Sequence, residues 1–193
     1  MTDSIESPKE IFQRKCSIII SLIASMLLID NLGSQNASSS ATFLNASAIN
    51  TYGFYQAKTI RQNDLNISAI TLDSMVTIAG KGIDESTKKS ILDQAEKFRL
   101  KAASYDSDAE TGEGKKELLA KSKLAEKARD EAMEKGPYFD FAGLLLQLAI
   151  ILISVVLITE RRTLYLTGLT AACIGTFLSL DGFFLFIRLP LLS

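Results

Sequence analysis

Three apolar runs, one before and two after a long charged stretch, constrain this chain more than any other feature. The first is Cys16 to Ile29, the second Phe139 to Ile158, and the third Leu164 to Leu180, with an apolar tail reaching Leu192. A bilayer core takes roughly 20 mostly apolar helical residues to cross. The spacing therefore predicts an all-α membrane protein: three transmembrane helices, with a long-helix, coiled-coil-like extramembrane domain between the first and the second. The boundaries that follow are a polar tail at 1–15, spans at 16–33, 137–159 and 164–187, a helical domain at 34–136 with breaks near 80–82 and 106–116, a basic loop at 160–163, and a tail at 188–193. A signal peptide is the competing reading of the first run, since Arg14 and Lys15 precede it. A cleavage site at Asn36-Ala37-Ser38 would lie far from the apolar core, beyond Asp30-Asn31, which favours a retained anchor.

Charge sets the expected topology. Lys9, Arg14 and Lys15 precede the first span, and no Lys or Arg follows it until Lys58. Arg161 and Arg162 occupy the loop between the second and third spans. The positive-inside rule then puts the N-terminus and that loop in the cytoplasm and the helical domain outside. Lys121, Lys123, Lys127, Arg129 and Lys135 pull the other way, but they belong to a long loop, where the rule weakens.

Between the spans, Ala41, Leu44, Ala48, Tyr52 and Tyr55 step by three or four, and Leu65, Ala69, Leu72 and Val76 continue after a slip in phase. That is a helix with one buried stripe. Gly80-Lys81-Gly82 ends it. A second helix places Ile91, Ala95, Phe98, Ala102 and Tyr105 on one face. After a polar loop at 106–116, a third helix from about Glu117 to Glu134 carries Leu118, Ala125, Ala128 and Ala132, and Gly136-Pro137 stops it. Tyr138 and Phe139 fall where an interfacial aromatic belt is expected. The middle reads as a helical hairpin or three-helix domain. A narrow stripe on long helices buries itself poorly in a monomer, so partner helices are expected.

Chemistry is sparse. With no histidine, the commonest general base and zinc ligand are missing. Cys16 and Cys173 both lie in apolar runs and read as small hydrophobes, so no metal, disulfide framework or cofactor is expected. A net charge of −1 and the lack of a basic, aromatic-interleaved stripe argue against nucleic acid. Asp106, Asp108 and Glu110 lack the glycine position and terminal Glu of a calcium loop. No phosphate loop, nucleotide fingerprint or nucleophile elbow occurs. Three Asn-x-Ser sequons, at Asn36, Asn45 and Asn66, carry no weight in an Asn/Ser-rich chain. The densest group of polar side chains is Tyr55-Gln56-Ala57-Lys58-Thr59-Ile60-Arg61-Gln62. Lys58 shares a helix face with Arg61 and Gln62, and two cations near Tyr55 suit an anion or a partner's carboxylate; the bland reading is a solvated face with snorkelling side chains. Gln147 sits inside the second span and needs a partner there. Gly168, Gly175 and Gly182, seven apart, line one side of the third span as a packing seam. Asp30 and Asp181 lie near span ends, where they are expected to be wet; with no second ionisable group at depth, a proton relay is not expected.

Two pieces carry a family resemblance. One is Asn45-Ala-Ser-Ala-Ile-Asn-Thr-Tyr followed by Tyr55-Gln-Ala-Lys-Thr-Ile-Arg-Gln. The other is Phe141-Ala142, then Leu146-Gln147-Leu148-Ala149-Ile150, then Arg161-Arg162 and the spaced glycines. The chain resembles the bacterial membrane family catalogued as domain of unknown function 4337, whose layout is one N-terminal span, a helical middle and two C-terminal spans. The resemblance implies that architecture and a bacterial inner membrane. It marks Tyr55, Gln56, Lys58, Arg61 and Gln147 as positions to test, and implies no activity. The expectation is a non-enzymatic integral membrane protein whose helical domain mediates self-assembly or scaffolding, with the lipid bilayer and a homo-oligomer or membrane-protein partner as its contacts. The alternative is an accessory or gating subunit of a membrane transport complex, docking through Gln147 and the glycine seam.

Overall fold

A computed structural model describes residues 8–187. Residues 1–7, including Ser7 of the expected helix start, and the tail at 188–193 lie outside the described residues. The described chain is all-helical: α1 is Pro8–Ala79, followed by a 3-10 turn at Gly80–Gly82, α2 Glu85–Ser104, α3 Lys115–Glu134, α4 Gly136–Thr159 and α5 Arg162–Phe184. Three segments, in α1, α4 and α5, are long and apolar enough to cross a membrane. The chain divides into two compact units. One joins α1 up to Thr42 with the chain from Arg129 onward; the other is Phe43–Ala128.

In the first unit α4 and α5 pack antiparallel through matched heptad positions. A Cβ on Gly168 would lie 2.8 Å from Ile153, one on Gly175 3.0 Å from Leu146, and one on Gly182 3.1 Å from Phe139. Phe139, Leu146 and Ile153 are thus large side chains seated in the gaps left by three glycines, the small-residue route to close packing in lipid. The turn between the helices uses Glu160 in the left-handed region, at φ 53°. Helix α1 lays Cys16, Ile23, Asp30 and Ala37, also seven apart, on its buried side. Cys16 and Ile23 join Leu146, Ala149, Ile153, Val156 and Ala172 in one core. At one end of the unit Lys9 pairs with Glu160 at 2.5 Å and Phe12 meets Tyr165 at 5.7 Å between ring centroids. At the other end Gly33 lets the rings of Phe139 and Phe183 close on α1; a Cβ there would be 2.5 Å from the Phe139 ring. Gly33 lies inside an unbroken helix, and its use is this close approach.

In the second unit the first helical segment packs through Leu44, Ala48, Thr51, Tyr55, Lys58, Gln62, Leu65, Ala69, Leu72 and Val76, all buried or half-buried. The 3-4 spacing is continuous. The apparent slip in phase arises because polar Thr51, Lys58 and Gln62 occupy seam positions, which a search for apolar residues skips. Tyr52, expected on the stripe, is instead 43% exposed and stacks on Tyr55 at 5.6 Å. Gly80, at φ +55°, ends α1. The Asp84 side chain caps α2 by accepting from Thr87 N at 2.9 Å. The α2 face is the expected one, Ile91, Ala95, Phe98, Ala102 and Tyr105. On α3 Leu118, Ala125, Ala128 and Ala132 are joined by Ser122, which is 2% exposed and donates to Ala48 O at 3.3 Å. Gly136-Pro137 separates α3 from α4 by Lys135 alone, because proline fits a first helical turn where its missing N–H is not needed.

Candidate functional site

The polar octet at 55–62 is divided by the fold. Gln62 faces inward, its amide nitrogen donating to Ala102 O at 2.9 Å and Asp106 Oδ1 at 3.0 Å, while Lys115 Nζ donates to its oxygen at 2.7 Å. Lys115 also lies over the Tyr55 ring, 5.6 Å from its centroid, and 3.7 Å from Asp106 Oδ1. Lys58 lies over the Tyr105 ring at 5.9 Å and reaches Glu113 at 3.9 Å. Tyr55, Lys58 and Gln62 therefore hold the α2–α3 loop, and their cation, amide and ring are engaged within the unit. Gln56 and Arg61 are exposed and take no part in this bracket.

The loop is tightened by its own carboxylates. Asp108 accepts from Thr111 Oγ1 at 2.5 Å and Thr111 N at 3.1 Å, and these bonds, the hydroxyl's first, hold its carboxyl below the usual range. Glu117 is lowered chiefly by the Ser107 hydroxyl, at 2.5 Å. Asp84 is lowered by Thr87 in the same way. Arg99 pairs with Asp73 across to α1. Among the described residues no group of three or more His, Cys, Asp or Glu is arranged to hold a metal ion.

The membrane unit holds a different arrangement. Asp30 is 1% exposed and its Oδ1 has no hydrogen-bond partner. Ser179 of α5 lies beside it without completing a bond, and Ser179 Oγ is itself buried and unpartnered. Gly143 of α4 makes the room: a Cβ there would be 3.1 Å from Asp30 Oδ2. A pocket of about 320 Å³ opens beside this carboxylate, lined also by Asn31, Ser34, Asp140 and Gln147. Asp181 is buried as well; its Oδ1 accepts from Ile187 N at 3.0 Å and its Oδ2 has no partner. One sequence expectation is corrected here: Asp30 and Asp181 are not wet but buried, Asp30 against α4 and Asp181 under the chain that follows α5. The ionisable neighbour of Asp30 is Asp140, which is exposed and not at depth. Heptad spacing of Asp30 with Cys16, Ile23 and Ala37 is the signal that would have placed it inward.

Gln147 is exposed on the outside of α4 and lines this pocket; it does not glue α4 to α5. Gly168, Gly175 and Gly182 are filled by side chains of α4, so the seam they form serves packing within the unit and offers no free docking face.

No curated protein and no solved structure matches this chain. One family does, over residues 12–185, which spans all three apolar helices and the helical segment between them. The chain belongs to that family, described as Domain of unknown function (DUF4337).

Proposed function

We propose that the chain is a non-enzymatic, multi-pass protein of the bacterial inner membrane whose helical domain assembles copies of the protein in parallel. One observation carries the reading. In the second unit α1 has two apolar faces. The seam from Leu44 to Val76 faces α2 and α3. Directly opposite, at about 100° per residue, stand Ile49, Ile60, Ile67, Ile70 and Ile78, between 60 and 85% exposed. Gln56, Asn63 and Ser74 interrupt this row, and a row of exposed isoleucines of this length marks an interaction surface. Burying each isoleucine is worth roughly 1.5–3 kcal/mol.

A second copy is the occupant this ridge suits. Copies anchored in one membrane with one topology present α1 in the same direction and at the same height, so identical ridges meet in register. Gln56 falls within the ridge and would meet its own counterpart, an amide pair that fixes register in parallel helices. The N-terminus and the 160–163 loop are read as cytoplasmic and the helical domain as extracytoplasmic. The Lys9–Glu160 pair supports a shared side for the first two.

Cysteine cross-linking of the full-length chain in native membranes tests this. In a Cys16→Ser/Cys173→Ser background, Ile67→Cys should form a disulfide dimer on oxidation, and Ala69→Cys, on the seam, should not. No dimer from Ile67→Cys, or equal dimer from both, overturns the proposal. The alternative, an accessory or gating subunit of a transport complex, draws on the outward Gln147; capture of a transporter that is lost on Gln147→Leu would favour it.

A further inference from the structure

Asp30 is one of three residues in this unit with a buried, unpartnered oxygen, beside Ser179 and Asp181, and of the three it is the one that lines a pocket. A buried charge persists where it is paired or ligates an ion, and a buried polar atom without a partner points to something that completes it. Asp30 Oδ1 lacks any hydrogen bond while the residue is 1% exposed. The pocket beside it is lined with oxygen donors: the side-chain amides of Asn31 and Gln147, the Ser34 hydroxyl and the Asp140 carboxylate. Ser179 Oγ is also buried and is the hydroxyl nearest this carboxylate, though it does not line the pocket. Depth is graded. Asp140 is exposed and Ser34 half-buried. Gln147 is seven residues further along α4, about 10 Å deeper. The wall contains no lysine, arginine or histidine to neutralise Asp30.

We infer that this pocket binds a monovalent inorganic cation, Na+ or K+, with Asp30 as the charged ligand and Asp140 drawing the ion in at the mouth. Hard cations take oxygen ligands. Asp30 is the one buried carboxylate in the wall, and a single buried carboxylate balances a single charge. About 320 Å³ accommodates the ion with part of its water shell. Gly143 leaves room for this carboxylate, since a methyl group there would lie 3.1 Å from Asp30 Oδ2.

The test uses the full-length chain in nanodiscs of zwitterionic lipid. Thermal unfolding is followed against NaCl, KCl and N-methylglucamine chloride at constant ionic strength. At least one alkali ion should raise the unfolding temperature saturably, and N-methylglucamine should not. Asp30→Asn should weaken half-saturation by about thirtyfold or more. Should that variant fail to fold, Ser34→Ala and Gln147→Leu should each weaken half-saturation, while Asp181→Asn, outside the pocket, leaves it unchanged. Equal effects of all three salts, protection by Mg2+ or Ca2+ alone, or saturation unaltered in Asp30→Asn (or, if it does not fold, in both other pocket variants) overturns the inference.

Discussion

The two units treat polar and apolar side chains in opposite ways. In the membrane unit Phe139, Leu146 and Ile153 close on Gly182, Gly175 and Gly168, and the polar exceptions, Asp30, Ser179 and Asp181, keep unpartnered oxygen atoms. In the Phe43–Ala128 unit the seam itself is partly polar, and Lys58, Gln62 and Ser122 on it are each engaged with named partners. There the isoleucines stand outside. Satisfied polar groups in a seam contribute specificity to a fold; an unpartnered buried carboxylate and an exposed row of isoleucines are the two features on which the proposals above rest.

The largest expected effect breaks the second half of that comparison. Ile60→Lys/Ile67→Lys removes two side chains from the ridge in each copy. Four isoleucines are lost per dimer; at about 2 kcal/mol each, self-association of the detergent-solubilised protein should weaken about a millionfold. Sedimentation equilibrium, or energy transfer between labelled copies on dilution, reads this directly. Helicity should stay unchanged, since neither residue packs within the unit. An unchanged association constant would leave the ridge as ordinary exposed surface.

Glycine substitutions sharpen the contrast between the units. Gly175→Ala puts a Cβ 3.0 Å from Leu146 and 3.1 Å from the Ala142 carbonyl oxygen, which is backbone and yields little. The variant should be destabilised by about 1–3 kcal/mol. Gly53→Ala meets nothing within 4 Å. It should stabilise the helix by up to about 1 kcal/mol, measured in the Ile60→Lys/Ile67→Lys background so that assembly does not mask it. Equal effects of the two alanines on thermal unfolding would mean that the α4–α5 glycines are mere helix composition.

Much of the architecture was legible because membrane spans and amphipathic stripes declare themselves through apolar spacing. The three long apolar helices follow from hydropathy, and the α2 face and the Gly80 break from periodicity and glycine. What escaped was whatever used polar residues in apolar roles. Lys58 and Gln62 hide in a heptad seam because their polar heads reach over it to loop partners, and the same disguise made one continuous stripe look like two. The exposed isoleucines are hard to read from sequence because a single-stripe periodicity averages out a helix that carries apolar residues on two opposite sides. Asp30 needed tertiary information, since its pocket is assembled from α1 and α4 residues more than a hundred positions apart. The octet reads either as a binding face or as a solvated one; its inward half brackets a loop, and Gln56 and Arg61 stay exposed.

That bracket predicts an intermediate effect. Gln62→Leu removes three hydrogen bonds and leaves Lys115 Nζ and Ala102 O without that partner. Loss of partly buried bonds of this kind costs about 1–3 kcal/mol. The consequence should be local, with faster tryptic cleavage at Lys115 and Lys116 and little change in the membrane unit. Cleavage at the wild-type rate would show that the loop is held by its own turn chemistry alone.

The smallest effect concerns that turn chemistry. Asp108 and Glu117 have carboxyls held below the ordinary range by the hydroxyls of Thr111 and Ser107. Ordinary values are about 3.9 for Asp and 4.3 for Glu. A carboxyl whose folded value is depressed stabilises the fold above the unfolded value and loses that contribution as pH falls through the folded one. The loop should therefore keep its full contribution above about pH 5 and loosen only as pH drops below about 4. Both groups are accessible to solvent, so salt screens the effect and it stays small beside the Gln62 bracket. Carboxyl-carbon NMR titration of the full-length chain should give midpoints below the ordinary values for both residues. Thr111→Val should raise the Asp108 midpoint while leaving Glu117 near its starting value, and Ser107→Ala should do the reverse. The hydroxyl is the first cause of each shift, so a midpoint unmoved by its removal would transfer the effect to the backbone donors of the turn.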